Sequence, residues 1–237
     1  PTYHKPMMRE PDGCEHELNR MDVKPRVALA SHLEDQIILM LKRLIHEVDG
    51  VLVVDQAQGK NFGVITDRVR EAIQNLAATE PGKMVAVDSR HYLGLFKHMI
   101  LKANLSEAIR ALDTEQLQGE NAIACAKRCA QELISRTNHP VIITLGNEGI
   151  YLQAKINEPG TIIQAIPVTG EVDIVGAGDS VCASVGAALC AGATLDEACF
   201  IGNIVASIVI KQIGVTGTAS SKLIIEQYEK YFDNKKN

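Results

Sequence analysis

The stretch Asp173-Ile174-Val175-Gly176-Ala177-Gly178-Asp179-Ser180 decides how this chain is read. An apolar, β-rich run, Thr161 to Val168, precedes it. A small-residue segment, Val181 to Ala191, follows with the composition of a closely packed helix. A glycine-bearing turn therefore delivers the chain into a helix N-terminus, where N–H groups lack intrahelical partners and the helix dipole is positive. Gly176 and Gly178 carry no Cβ, so a phosphate can approach the backbone closely. A carboxylate in the first turn, Asp179, repels such an anion. The conflict is resolved if Asp179 faces a hydroxyl that attacks the phosphate. The same residues also suit a plain turn, with Asp179 stabilising the dipole.

The wider segment, from Asp173 to Ser180 and on through Ala187-Ala188-Leu189 and Ala191-Gly192, resembles the C-terminal signature of the ribokinase-like (PfkB) carbohydrate kinases. The resemblance implies a three-layer αβα fold with a mostly parallel sheet, ATP as phosphoryl donor, and a sugar or sugar phosphate as acceptor. It implies Asp179 as the catalytic base and the amides of Gly176, Ala177 and Gly178 as the anion hole.

The residues themselves predict an α/β architecture. Ile37, Leu41, Leu44 and Val48 recur at helical spacing within Leu33 to Val48, and Asp49-Gly50 ends that helix. Val51 to Val54 reads as a buried strand closed by Asp55, and Thr66 to Ala78 as an amphipathic helix with Thr66 as N-cap. Strands are predicted at Met84 to Val87, ending in Asp88, at Met99 to Lys102, and at Val141 to Leu145. Helices are predicted from about Asn121 to Ser135, from Thr194 to about Gln212, and from Ser220 to Phe232. Thr194 and Glu197 have the spacing of a capping box. Residues 1 to 14, with Pro6, Pro11 and Asp12-Gly13, read as irregular. Apolar strands alternating with helices imply a parallel sheet covered on both faces, in one domain spanning 1–237. Ligands gather at the carboxyl ends of such strands. Asp55, Asp88, Asn104, Gly146 and Asp179 all fall there.

Asn104-Leu105-Ser106-Glu107 fits an N-cap with its partner three residues on. The resemblance gives it a second reading, because kinases of this family carry Asn-x-x-Glu after a strand to position Mg²⁺ and the phosphates. Magnesium binds one or two carboxylates plus phosphate and water, so Glu107 with Asn104 suffices. Thr144 to Gly149 is a turn with glycines suited to positive φ. In the family this segment lines the nucleotide, through Thr144, Gly146 and Gly149. Asn203, one helical turn before Ser207, lies on the helix that flanks adenine in relatives, or else serves packing. Asp173 and Val175, with Ile213-Gly214, occupy positions where some relatives hold a monovalent cation. Asn19-Arg20-Met21-Asp22 and Val54 to Lys60 loosely resemble the heptose-7-phosphate kinase branch, in which Lys60 could meet a sugar phosphate.

Composition excludes other classes. A net charge of −5 argues against nucleic acid, whose backbone requires clustered Lys and Arg. No apolar run approaches the ~20 residues of a membrane span. The six cysteines contain no CxxC pair, which suits buried or surface thiols in a reducing, cytoplasmic compartment. Cys125 and Cys129 stand at i,i+4, where a metal pair is conceivable, with no neighbouring His or Cys to complete it. A lone Gly-x-Gly this late in the chain, without a third glycine, speaks against a dinucleotide-binding dehydrogenase.

The resemblance spans roughly residues 15 to 220 and is N-terminally incomplete. The family's first strands, its glycine-pair sugar motif and its lid strands find no counterpart, and no Gly-Gly pair occurs. The chain begins at Pro1 without an initiator methionine, as a processed chain or a fragment does. A sheet lacking its first strands exposes an edge and an apolar helix face, to be covered by a homo-oligomer partner or by a missing N-terminal segment. The competing reading is a non-catalytic nucleotide-binding or interaction protein that has lost the sugar site.

Overall fold

The computed structural model describes residues 2–13, 15–112 and 121–234. Four short strands come first: β1 (Thr2–His4), β2 (Met7–Arg9), β3 (Glu15–Glu17) and β4 (Met21–Val23). They form two antiparallel ladders outside the main sheet, β1 with β4 and β2 with β3. This corrects the expectation of irregular chain over 1–14. All positions of β1, β2 and β4 are exposed, so no in-and-out alternation marks these three-residue strands in the sequence.

The remainder alternates as expected: α1 (Ser31–Leu44), β5 (Gly50–Asp55), α2 (Asp67–Thr79), β6 (Met84–Ser89), β7 (Ile100–Asn104), α3 (Leu105–Ala111), α4 (Ala122–Thr137) and β8 (Val141–Thr144). Then follow β9 (Ile150–Gln153), β10 (Thr161–Ile163), α5 (Ala177–Cys190), α6 (Leu195–Val209) and α7 (Ser221–Asn234). Local chemistry sets several boundaries. The Thr66 hydroxyl accepts from Val69 N and starts α2, and reciprocal bonds between Thr194 and Glu197 start α6. Asn138 closes α4 in the left-handed conformation, a C-terminal stop that asparagine tolerates.

One six-stranded sheet runs in the order β10-β9-β8-β7-β6-β5. Strands β5 to β8 are parallel, and β9 and β10 add antiparallel. Period-two alternation divides each strand between two cores. Val53, Val85, Val87, Leu101, Val141 and Ile143 face α2 and α4, meeting Ile73, Ala126 and Leu133. Ile142 and Leu152 face the other way, against Val181 and Val185 of α5 and Ala198 and Cys199 of α6. Full burial of each such side chain contributes about 1.5–3 kcal/mol, and the two layers together hold the sheet between helices. Helix α7 packs on α6 through an aromatic group, Phe200 with Tyr228, Tyr231 and Phe232.

The expected open edge is present. Strand β5 is the outermost strand of the sheet, its Leu52 and Val54 remain partly exposed, and Leu39 and Met40 of α1 face solvent. No helix among the described residues is long and apolar enough to cross a membrane.

Candidate active site

Parallel register fixes what the carboxyl edge of the sheet presents. Asp55 lies beside Ser89, Asp88 beside Lys102, and Asn104 beside Thr144. Above this edge the chain enters α5. Gly176 is the N-cap, held at φ +80°, a left-handed conformation that favours glycine, and no side chain caps the helix. The Ala177 amide turns back to the Ile174 carbonyl (3.2 Å), and no side chain caps the first-turn amides that follow, at Gly178 and Asp179. Gly178 and Asp179 are both exposed.

Asp173 holds this entry loop. Its carboxylate accepts from Val175 N (2.9 Å) and from Gly214 N (3.1 Å), while its own amide donates to the Ile210 carbonyl (2.8 Å). The segments 173–176 and 210–214 are thereby tied together. These two amides hold the Asp173 carboxyl below its ordinary value. A depressed carboxyl contributes stability above the unfolded value, ~3.9, which is lost as pH falls through the lower folded value. Asp173→Asn is therefore expected to be less stable than the parent at neutral pH. In an acid-unfolding titration followed by circular dichroism the gap should shrink as pH falls below the ordinary carboxylate range. A constant gap at every pH would mean the carboxylate charge is not what ties the loop.

Asn104 and Glu107 realise the capping arrangement in full. Asn104 Oδ1 accepts from Glu107 N (2.9 Å) and Glu107 Oε2 accepts from Asn104 N (2.8 Å), which places one carboxylate at the carboxyl edge of β7. A single carboxylate with an amide oxygen fits a magnesium ion that keeps water and phosphate oxygens as its other ligands. Among the described residues no three His, Cys, Asp or Glu side chains cluster as a metal site, so any divalent ion there leans on the nucleotide for its ligands.

Thr144 closes β8 and donates to the Ala103 carbonyl (3.3 Å). The turn that follows has Gly146 at φ +61° and Gly149 at φ +97°, with Leu145 N bonded to the Gly149 carbonyl (2.7 Å). Asn203 is buried, and its amide donates to the Ile163 and Gln164 carbonyls (2.9 and 3.0 Å), clasping α6 to the end of β10. The fold thus groups Gly176 to Asp179, Asn104, Glu107 and Thr144 near one edge, whereas Asn203 spends its side chain on the backbone. Lys60 forms an ion pair with Asp67 (3.2 Å), and Arg20 pairs with Asp22. Lys24 Nζ reaches Gln58 (2.7 Å), so the β4 end and the 55–60 loop lie together. Cys125, Cys129, Cys182 and Cys199 are buried thiols and Cys190 is exposed, while Cys14 lies outside the described residues.

One residue of this region, Lys102, was not singled out from the sequence, nor was its pairing with Asp88. Lys102 and Asp88 form an ion pair of 2.5 Å on the α5 face of the sheet, with both side chains almost wholly buried. A Cβ built on Gly178 would lie 3.3 Å from Lys102 Nζ, so the ammonium sits against the first turn of α5. A lysine in a predicted strand, facing a helix-covered side, was the available signal, since unpaired burial of that charge is costly.

Comparison with known proteins gives the family and the fold. Residues 51–222 match the pfkB family of carbohydrate kinases, and the chain belongs to that family. It is 30% identical over 183 residues to the bifunctional protein HldE of Campylobacter jejuni, covering 77% of this chain and 37% of that protein. Against the bifunctional protein HldE of Paramagnetospirillum magneticum it is 29% identical over 213 residues, covering 88% of this chain and 41% of the relative. The chain thus spans about two fifths of the length of these relatives. Among solved structures it is similar to ribokinase from Thermotoga maritima, with TM-score 0.65, 18% identity, and 97% and 70% of the two chains covered. Phosphofructokinase-2 from Escherichia coli in complex with potassium superposes with TM-score 0.65 and 20% identity, covering 93% and 68%. The fold is ribokinase-like.

Proposed function

We propose that this chain carries the phosphoryl-transfer machinery of an ATP-dependent sugar kinase, with a sugar phosphate of the heptose type as acceptor. The observation that carries this reading is the uncapped first turn of α5, with Asp179 exposed in that same turn. Amides in that position are fixed donors for the charge that spreads over the equatorial oxygens during phosphoryl transfer. Asp179 takes the proton of the acceptor hydroxyl as its oxygen attacks the γ-phosphorus. The new O–P bond forms while the bond to the β-phosphate oxygen breaks, and ADP leaves with that electron pair. Because the transition state is loose, alignment of hydroxyl, phosphorus and leaving oxygen contributes more than the strength of the base.

The nucleotide lies along the edge bounded by Thr144, Gly146 and Gly149, with Asn104 and Glu107 towards its phosphates. A magnesium ion held there through Glu107 supplies charge neutralisation on the phosphate oxygens. The Asp173–Gly214 tie is where a monovalent cation would support the loop. The phosphofructokinase-2 that superposes on this chain was solved with potassium, and the shared fold makes that comparison relevant. The heptose-type acceptor rests on the resemblance of the stretches at 19–22 and 54–60, and Lys24, just beyond the first, bonds to Gln58 of the second.

The test is steady-state ADP release with MgATP and a panel of ribose, fructose 6-phosphate and heptose 7-phosphates. Turnover is expected with the heptose phosphate above the others. ATP binding without release of ADP for any sugar would instead favour a non-catalytic nucleotide-binding protein. Faster turnover with ribose would retain the kinase and remove the heptose assignment.

A further inference from the structure

We propose that the Lys102–Asp88 pair is an electrostatic support for the anion seat, in which Lys102 is a positioning residue that raises the positive potential of the first turn of α5 from beneath. This rests on the kinase reading and extends it to a residue pair outside the Gly-Ala-Gly-Asp segment.

The geometry is directional. Lys102 and Asp88 are register neighbours on β7 and β6, and both project from the face of the sheet on which α5 packs. Lys102 is 4% exposed, and its ammonium is 2.5 Å from the Asp88 carboxylate and 3.3 Å from where a Cβ on Gly178 would stand. The positive end of this buried pair therefore points at the turn that offers its amides to solvent. The Cys182 thiol, one turn further along α5, stands near Asp88, Lys102 and Asp179 at once. Burial first, and then the Asp88 carboxylate with a smaller part from Asp179, push it up to about 11 against the opposing pull of Lys102. The four side chains form one cluster under and beside the helix start.

A buried ion pair is a poor means of stabilising a fold, because desolvation offsets most of the attraction. Apolar side chains at 88 and 102 would close this layer equally well. Retaining a lysine in contact with Gly178 instead gives the turn a fixed cation in low dielectric, where charge acts at greater strength than in water. The seat then combines the helix dipole, the free amides and a neighbouring ammonium, without a flexible side chain reaching over the nucleotide.

The two partners consequently predict effects of opposite sign. Asp88→Asn removes the charge that offsets the lysine and leaves its ammonium buried without a counterion, so the melting midpoint should fall. MgATP should nonetheless bind the folded chain as tightly as in the parent or more tightly. The double variant Asp88→Asn with Lys102→Met removes both charges at similar volume. It should keep the parent's melting midpoint and bind MgATP about 10-fold or more weakly. Isothermal titration with MgATP on the full chain reads both. If the pair were merely structural, the two variants would shift affinity together, and that result would overturn the proposal. Weaker binding in Asp88→Asn alone would overturn it as well, even if the double variant failed to fold. A parent chain that binds no MgATP would instead remove the kinase reading and this inference with it.

Discussion

Replacing Asp179 by asparagine is expected to lower kcat roughly 10²- to 10⁴-fold while leaving ATP binding intact. The side chain is exposed in the first turn of α5, and it carries no fold-holding bond comparable with the two that Asp173 makes. Its contribution to the helix dipole is about 0.3–1 kcal/mol, so the asparagine variant should fold normally. Asparagine keeps the size and the hydrogen-bonding oxygen but accepts no proton. A carboxylate beside a phosphate is unfavourable in the ground state, which is why its loss should not weaken ATP binding. The measurement is paired, with turnover by ADP release and affinity by titration on one protein preparation. Near-normal turnover would take the role of base away from Asp179, and a parallel loss of ATP affinity would make it a binding residue.

A second large effect is expected at Gly149, this time on stability. At φ +97° and ψ −133° its backbone occupies a region essentially restricted to glycine. A Cβ there would stand 2.1 Å from the Ile163 carbonyl oxygen and 2.6 Å from the Ala165 amide. Both obstacles are backbone, and Asn203 holds the Ile163 carbonyl and that of Gln164 between them from α6, so neither the strand end nor the helix can shift alone. Gly149→Ala should cost about 3 kcal/mol or more in chemical denaturation, combining backbone strain with a clash. Gly146→Ala is the internal comparison. Its φ is +61° but nothing lies within 4 Å of the added methyl, so only the left-handed penalty of about 1–2 kcal/mol applies. Equal losses at the two positions would show that the close approach of β10 is not what constrains Gly149.

The parts of the fold governed by local chemistry were readable from the residues. Thr66, Asn104, Thr194 and their partners three residues on are short-range donors and acceptors, and each caps the helix its spacing announces. Strands β5 to β8 are apolar runs ended by Asp55, Asp88 with Ser89, Asn104 and Thr144, so the parallel sheet and the polar residues along its carboxyl edge followed from pattern. The ladders β1 to β4 did not, because strands of three residues are too short to carry a periodic signal, and those of β1, β2 and β4 are exposed throughout. The Lys102–Asp88 pair was invisible for a different reason. It requires knowing that β6 and β7 align Asp88 with Lys102, and that Gly178 descends onto that spot. Asn203 shows the same limit, since its clasp on β10 joins residues about forty apart.

The claim on which the account turns is that nucleotide phosphate sits on the first turn of α5. Amide chemical-shift mapping of the isotopically labelled chain during MgATP titration tests this most directly. The account predicts the largest perturbations at Gly176, Ala177, Gly178 and Asp179, with smaller ones at Asn104 and Gly146. Saturable perturbations confined to other elements, with the 176–179 amides unmoved, would contradict it.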